Sequence, residues 1–528
     1  MKKSKTTTFL LELPLRVDAG QARRLHAHLE VARCFYNAML GEAKKRLNQV
    51  RSAPAWQEAR GMARSQKQER RQAFSLVRHQ YGFSDYAMHD YAKATRKSWI
   101  ADHIDSTMAQ TLATRAFQAV NKVCLGQANT VRFRSKGRGI DSVEGKRNDT
   151  GMRFLLQAPE EGSSGWLVWG ADRILALIDW HDPVVCHGLK QRLKFARLVR
   201  RTASSPQARG ADSEGNRYCV QLVLEGSAYQ KPRNTVGTDT IGVDIGPSSL
   251  AIVSQQGHVQ LKTFCEELKP NAGAKRRLAR KMERQRRANN SQNYDDKGRV
   301  KQGRLTWKES QQYKATRRRY ATAERKLAAY RKGLHGKLVN DLLRVGKTIQ
   351  IEKTSFRGWQ KRFGKSVALR APGLFYEHVK RIVAKTGGTL REVSTYTTKF
   401  SQYCHGCRTY TKKPLSQRWH TCACGIGPVQ RDLYSAFLLA YLTSTDNTPS
   451  IALNEWEGAE PRLQAEIERL KQRANEGQSL PGSFGLPRVG ARQPKSLSPN
   501  QQELCSPSLQ YRKGKLEALE MGKEPPRL

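Results

Sequence analysis

The sequence is poor in acidic residues, with 46 Asp and Glu against 94 Lys and Arg in 528 residues. The resulting formal net charge of +48 makes a compact free chain repel itself, so we expect a polyanion to be a regular partner. Hydrophobic residues nevertheless make up 38% of the chain, which excludes a wholly disordered protein. A chain of this length is expected to form about two to four domains.

Long apolar segments are also missing. No apolar run approaches the length of a membrane span, and the basic first residues (1–5) are not followed by a hydrophobic signal core. These absences predict a cytoplasmic protein without a membrane partner. Four of the 10 cysteines lie between Cys404 and Cys424 and the others are scattered, a distribution that indicates a metal site and excludes a disulfide framework.

The first half of the chain alternates between strand and helix patterns. A strand is predicted over residues 7–17, and a basic helical segment runs from 21 to about 122. Short strands return after 148 and end in a hairpin whose arms alternate around Phe195 and Val220, across a polar loop at 204–216. This order predicts a small β-barrel or curved sheet that is interrupted by a helical insertion.

The second half predicts a different sheet. Strands are expected at 241–245 and 250–254, followed by a long basic helical stretch from 275 to about 343. A strand at 349–352, a helix at 375–385 and a strand at 390–393 complete the order of an RNase H-like α/β fold with a mixed sheet.

The C-terminal segment and the basic helices have distinctive compositions. After 446 the chain is rich in Ser, Pro, Gly and Gln, which predicts a mostly disordered tail with one short amphipathic helix that begins near Pro461. The basic runs at 275–281 and 314–320 are accompanied by aromatic residues such as Trp307 and Trp359. This combination suits a surface that follows a phosphate backbone and stacks on bases.

Three acidic residues stand out on this basic chain. Asp244 lies in the middle of an apolar strand, Glu352 ends another, and Asp432 lies where a helix begins. Each has an ordinary explanation alone, such as a charge pair with Lys353 or a first-turn acid that offsets the helix dipole. Buried carboxylates are costly unless they are paired or bind a metal. Together the three acids predict a nuclease site that holds about two Mg²⁺ ions.

The cysteine cluster predicts a second metal. Cys404 and Cys407 form a C-x-x-C pair, and Cys422 and Cys424 form its expected mate, so four thiolates could close a structural zinc site. Because the second pair is C-x-C, one residue shorter than usual, His405 or His420 could replace a cysteine, or the site could be degenerate. A closed site of this kind stiffens a loop and performs no chemistry.

In this order, the acids and cysteines resemble those of the TnpB nucleases of insertion sequences and the compact type V CRISPR effectors. In that family a zinc knuckle splits a RuvC-like nuclease domain. The segments around Asp244 and Glu352 are similar to the first two RuvC motifs, and Asp432 with Ser435-Ala436 is similar to the third. Two positions depart from the third motif: Gln430 replaces its usual acid and Tyr434 its usual Asn.

The resemblance implies a multidomain α+β protein whose parts have separate tasks. A β-barrel wedge domain would occupy 1–18 and 149–236, a helical recognition domain 19–148, the RuvC-like nuclease domain 237–403 and 425–445, a zinc-knuckle insert that binds target nucleic acid 404–424, and a mostly disordered tail 446–528.

The implied function is an RNA-guided DNA endonuclease. It would bind a guide RNA, pair it with target DNA beside a short motif, and hydrolyse the DNA with Mg²⁺. Asp244 and Asp432 would hold the metals and Glu352 would complete the site, with Zn²⁺ at the cysteines. Two alternatives stay open: an RNA-independent RNase H-fold transposase or resolvase, and an RNA-guided DNA-binding repressor without cleavage.

Overall fold

The computed structural model divides into two compact units. The first comprises Met1–Asn234 and Pro270–Tyr330, and the second comprises Thr235–Lys269 and Arg331–Leu528. No helix in the described part of the chain combines the length and the apolar composition of a membrane span. The structure describes residues 6–136, 139–158, 162–202, 212, 215–414, 416–443 and 448–486.

The helices and strands follow the predicted alternation closely in the first part of the chain. They are β1 (Thr8–Arg16), α1 (Ala19–Ser52), α2 (Pro54–Gly61), α3 (Lys67–Gln80), α4 (Asp85–Arg96), α5 (Ser106–Cys124), β2 (Ser142–Glu144), β3 (Arg153–Leu156), β4 (Gly165–Trp169), β5 (Asp172–Ala176), α6 (Pro183–Leu189), β6 (Leu193–Thr202) and β7 (Asn216–Glu225). The helix α6 and the strand β2 were not predicted. Most of the hairpin loop predicted at 204–216 lies outside the described residues.

The remaining elements begin near residue 240. They are β8 (Thr240–Ile245), β9 (Ser249–Ser254), β10 (Val259–Thr263), α7 (Ala272–Ala288), α8 (Gln311–Val345), β11 (Thr348–Lys353), α9 (Phe356–Arg370), α10 (Pro372–Lys385), β12 (Thr389–Ser394), α11 (Thr395–Thr398), β13 (Trp419–His420), β14 (Val429–Gln430), α12 (Arg431–Ala440) and α13 (Ala452–Asn475). The strand β10 and the helix α9 were not predicted.

The first unit is built on a curled sheet of seven strands in the order β2-β6-β7-β1-β5-β4-β3, and β3 also contacts β6. The strand β1 alternates exposed and buried residues, so one face is apolar. Leu13 of β1, Leu25 and Met39 of α1 and Leu112 of α5 belong to one hydrophobic core. The curved sheet with a helical insertion is confirmed, and the sheet and the insertion share this core.

The second unit contains a mixed sheet of five strands in the order β10-β9-β8-β11-β12. The strands β8, β9 and β10 pair antiparallel, whereas β11 pairs parallel with both β8 and β12. The predicted hairpin and the predicted mixed sheet are therefore confirmed. Apolar alternation predicts each strand separately, but only the parallel pairing places β8 and β11 side by side.

The helix α12 packs on this sheet with all ten of its residues buried. The close approach is possible because β8 carries Gly242 where the helix crosses. A Cβ atom at Gly242 would lie 2.0 Å from the carbonyl oxygen of Ala436 and 2.4 Å from the amide nitrogen of Ala440. At the far end of the helix, the Gln255 side chain donates a hydrogen bond of 2.8 Å to the Ala440 carbonyl oxygen.

The helix α13 corrects the predicted C-terminal tail. It is longer than the predicted short helix and contains Pro461 in its interior. Leu463, Ile467 and Leu470 lie in the core of the second unit, as their spacing indicates. The carboxylate of Glu466 accepts a hydrogen bond of 2.8 Å from the amide of Leu261, on the edge strand β10. A disordered tail is therefore wrong for residues 448–486, and the rest of the predicted tail lies outside the described residues.

The long basic helical stretch predicted from 275 to about 343 consists of two helices, α7 and α8. The buried Asn290 and Asn293 hold the connection between them, which contains a short 3-10 helix at Ser291–Asn293. The Asn290 side chain accepts from the amide of Lys308 at 2.6 Å and donates to its carbonyl at 2.9 Å, and Asn293 donates to the Thr306 carbonyl at 2.7 Å. Asparagine side chains that bond the backbone in this way compete with helix formation.

We expect Gly242→Ala to destabilise the second unit by about 3 kcal/mol or more, because the new methyl group overlaps the backbone of α12. Gly458→Ala is the matched control, since a Cβ there meets nothing within 4 Å and Gly458 lies inside α13. The control should gain up to about 1 kcal/mol. Thermal unfolding of both variants measures the difference, and equal melting temperatures would contradict the close packing.

Candidate active site and metal centre

The structure brings the three predicted carboxylates to the wall of one cavity of about 360 Å³. Asp244 is half-buried on β8, and Glu352 is half-buried on the neighbouring strand β11. Ile351 of β11 pairs with Val243 of β8. Glu352 and Asp244 are the next residues on these parallel strands, so they lie side by side. Asp432 lies in the first turn of α12 and is 8% exposed. Residues that are far apart in the sequence are therefore gathered at one edge of the sheet.

Neighbouring hydroxyl groups orient two of these carboxylates. Ser249, at the start of β9, donates a hydrogen bond of 2.9 Å from its Oγ to Oδ2 of Asp432. Thr398 donates one of 2.8 Å from its Oγ1 to Oε1 of Glu352. Neither residue was predicted from the sequence, in which the only available signal is that Ser249 closely follows Asp244 in a predicted hairpin.

The electrostatics of the cavity favour a bound cation. Burial raises the pKa of Asp244 well above its ordinary value, and the nearby charges of Asp432 and Glu352 raise it further. Burial also raises the pKa of Glu352 and of Asp432, although the bonds from Thr398 and Ser249 oppose this effect. Three carboxylates that disfavour one another's ionisation would be stabilised by a divalent cation between them.

Basic and aromatic side chains line the same cavity. Arg431 places its Nε 4.0 Å from Oδ1 of Asp432, while its Nη1 donates to the Gln417 carbonyl at 2.9 Å. Arg418 and Trp359 also line the cavity. These groups give the cavity the chemistry to contact a phosphate and an aromatic base.

The donor set fits Mg²⁺, which prefers oxygen ligands. Among the residues that the structure describes, the carboxylates do not form a group as tight as that of the cysteines, whose four ligand atoms all lie within 4.8 Å of one another. Acids spread around a cavity wall are compatible with a pair of ions about 3.5–4 Å apart.

The cysteine cluster is assembled as the sequence predicts. The Sγ atoms of Cys404 and Cys424 are 3.5 Å apart, and those of Cys407 and Cys422 are also 3.5 Å apart. Tetrahedral coordination with Zn–S bonds of about 2.3 Å requires sulfur separations of roughly 3.8 Å. The cluster could therefore bind zinc despite its short C-x-C pair.

The two histidines take other roles, so the structure does not support the alternative in which one of them replaces a cysteine. Nδ1 of His405 lies 2.7 Å from the hydroxyl oxygen of Tyr434. The ring of His420 stacks on the Tyr434 ring with centroids 4.1 Å apart, and its Nδ1 contacts the Lys413 ammonium. Burial lowers the pKa of both His405 and His420 to about 4, so both rings are neutral at physiological pH.

Comparison with known proteins gives similarity to solved structures only. No family model matches the chain, and no curated protein matches it. One similar structure is a Cas12f1–sgRNA–target DNA complex, with 11% identity over 82% of this chain and 98% of that chain and a TM-score of 0.37. Another is a CRISPR-Cas12f ternary complex, with 12% identity over 79% of this chain and 82% of that chain and a TM-score of 0.24.

We expect the purified protein to contain about one zinc ion per chain. Cys424→Ser should remove it, because a serine hydroxyl does not replace the fourth thiolate. Cys34→Ser is the matched control, since Cys34 is also exposed and lies outside the cluster. Elemental analysis after dialysis measures the zinc content. A wild-type protein that is stable without zinc, or equal zinc content in both variants, would contradict the assignment.

We expect Mg²⁺ to raise the melting temperature of the wild-type protein by about 2–4 °C for each kcal/mol by which it stabilises the folded state, and this stabilisation grows with the ratio of the Mg²⁺ concentration to its Kd. Asp244→Asn should melt higher than the wild type without Mg²⁺, because it removes one of the repelling charges.

The Mg²⁺-induced rise should be absent in Asp244→Asn. Asp341→Asn serves as the control, because Asp341 lies in the same unit, outside the cavity, and pairs with Arg344 at 3.0 Å. An Mg²⁺ effect of the same size in both variants would show that the ion binds elsewhere.

Proposed function

We propose that this chain is an RNA-guided DNA endonuclease with an Mg²⁺-dependent site at Asp244, Glu352 and Asp432. The observation that carries the proposal is the shared cavity of these three carboxylates. The strand order, with three antiparallel strands followed by two parallel ones, supports an RNase H-like nuclease domain.

The roles of the three acids are those that the resemblance implies. Asp244 and Asp432 would hold the metal, and Glu352 would complete the ligand set. When bound, Mg²⁺ supplies Lewis-acid activation of water and stabilises the developing charge on the leaving oxygen. Ser249 orients the Asp432 carboxylate through its hydrogen bond, and Thr398 does the same for Glu352. Arg418 lines the cavity and would contact a phosphate of a DNA strand bound there.

The charge of the chain supports a nucleic acid as a standing partner. A net charge of +48 is stabilised when phosphates replace small counterions around the protein. The helix α7 contains no buried residue and carries two Arg residues in its last turn, so its surface is open to a polyanion. Guidance by RNA rests on the resemblance of the three acidic motifs to the TnpB and type V effector family.

The test of guidance is to express the protein together with its native flanking DNA and to sequence the RNA that copurifies. We expect one RNA species with a constant scaffold and a variable end. Heterogeneous host RNA, together with DNA cleavage that survives ribonuclease treatment, would instead identify an RNA-independent transposase or resolvase. Guided DNA binding without any cleavage would identify a repressor.

For the nuclease site, we expect Asp244→Asn to lower Mg²⁺-dependent cleavage about 10³-fold or more, because a metal ligand contributes several kcal/mol to the transition state. RNA binding and target DNA binding should be unchanged, since the substitution preserves the volume of the side chain. Cleavage of a labelled duplex and gel-shift binding are measured in parallel, with Asp341→Asn as the control. Unchanged cleavage by Asp244→Asn would refute the site.

A further inference from the structure

The Tyr434 side chain links the cysteine cluster to the helix turn that carries Asp432. It lies two residues after Asp432 on α12, and it is fully buried, with 0% exposure. Its hydroxyl oxygen accepts a hydrogen bond of 3.1 Å from the backbone amide of His405. His405 lies inside the first cysteine pair, directly after Cys404.

A second contact joins the same two residues. Nδ1 of His405 lies 2.7 Å from the Tyr434 hydroxyl oxygen, which is within hydrogen-bond distance. The hydroxyl therefore contacts both the backbone amide and the ring of His405, and these contacts restrain this residue of the cluster.

The aromatic ring of Tyr434 contacts the second cysteine pair. It stacks on His420, two residues before Cys422, with centroids 4.1 Å apart. His420 belongs to β13, which pairs with β14, and Gln430 of β14 caps α12 by accepting a bond of 2.8 Å from the Leu433 amide. Both halves of the cysteine cluster are consequently tied to the first turn of α12.

Asp432 lies in that same turn, so its carboxylate depends on how the turn is held. The Ser249 hydroxyl bonds Asp432 from the sheet, whereas the Tyr434 side chain ties the same turn to the cysteine cluster. If the cluster opens when zinc is removed, the contacts with His405 are strained or lost, and the turn that carries Asp432 is held less firmly.

We propose that Tyr434 is a positioning residue that couples zinc at the cysteine cluster to metal binding at the carboxylates. This inference rests on the proposed function, because it takes the carboxylates as a divalent-metal site. Zinc at the four cysteines would fix the positions of His405 and His420. These two residues contact Tyr434, and Tyr434 restrains the helix turn that carries Asp432. The four cysteines are Cys404, Cys407, Cys422 and Cys424. Zinc binding would thereby raise the affinity of the carboxylates for a divalent ion, and the effect would be transmitted by side chains of this chain.

The test measures metal binding directly. Mn²⁺, which also prefers oxygen ligands, is titrated into the full chain and followed by electron paramagnetic resonance. Each protein is compared with and without zinc, which is removed by a chelator selective for zinc over manganese and then restored. For the wild type, zinc removal should weaken Mn²⁺ binding at least about fivefold.

In Tyr434→Phe, the same comparison should give a change smaller than about twofold, because both contacts of the hydroxyl with His405 are gone and only the ring stacking on His420 remains. Tyr441→Phe is the matched control. Its hydroxyl is also buried and donates to a backbone carbonyl, that of Gln255 at 3.3 Å, but it lies beyond the other end of α12. This control should keep the full wild-type coupling.

A merely structural role for Tyr434 would weaken Mn²⁺ binding equally with and without zinc, and that result would overturn the proposal. If Tyr434→Phe does not fold, hydrogen exchange of the wild type decides the question. Zinc removal should speed exchange at the Leu433 and Tyr434 amides and leave those of β9 unchanged, and equal protection with and without zinc would overturn the coupling.

The two proposals fail in different ways. Mn²⁺ binding that depends on Asp244 but is insensitive to zinc would overturn the coupling and leave the nuclease site intact. Mn²⁺ binding that is the same in the wild type and in Asp244→Asn would overturn both.

Discussion

The contact between α12 and β8 is the constraint on which the candidate site depends. Gly242 leaves no side chain on the strand, so the backbone of the helix can lie where a Cβ atom would otherwise be. This approach brings the first turn of α12 to the edge of the sheet that carries Asp244. The helix is buried on every side because the sheet covers one face and α13 covers another. The carboxylate of Asp432 is tolerated in this buried helix because it lies in the first turn, beside the cavity, and accepts a hydrogen bond from Ser249.

The candidate site is acidic, whereas the chain as a whole is strongly basic. A protein with a net charge of +48 gathers three carboxylates in one cavity, and burial with mutual repulsion raises the pKa of Asp244. Arg431 does not fully neutralise the three carboxylates. Its Nη1 donates to the Gln417 carbonyl, and its Nε lies 4.0 Å from Oδ1 of Asp432. The mutual repulsion of the carboxylates is unfavourable, and a divalent ion would relieve it on binding.

Sequence patterns predicted most of the elements but not how they are brought together. Apolar alternation identified the strands that carry Asp244 and Glu352, because alternation reports burial along a single segment. Apolar alternation could not predict that α12 is buried on all sides, because that burial depends on α13. The sequence around α13 has the composition of a disordered tail, so its packing on α12 was not expected. The break after α7 was missed for a similar reason. Asn290 and Asn293 stop the helix through hydrogen bonds to residues more than ten positions away. Local helix propensity does not report such distant bonds.

The side chains of Gln430 and Tyr434 connect α12 to the segments that carry the cysteines. Gln430 belongs to β14, which pairs with β13 beside the second cysteine pair, and its side chain caps α12 as a carboxylate at the start of a helix would. The Tyr434 ring stacks on His420, and its hydroxyl contacts His405. A C-x-C pair has little backbone of its own to hold its shape, so these contacts with α12 contribute to the geometry of the cluster.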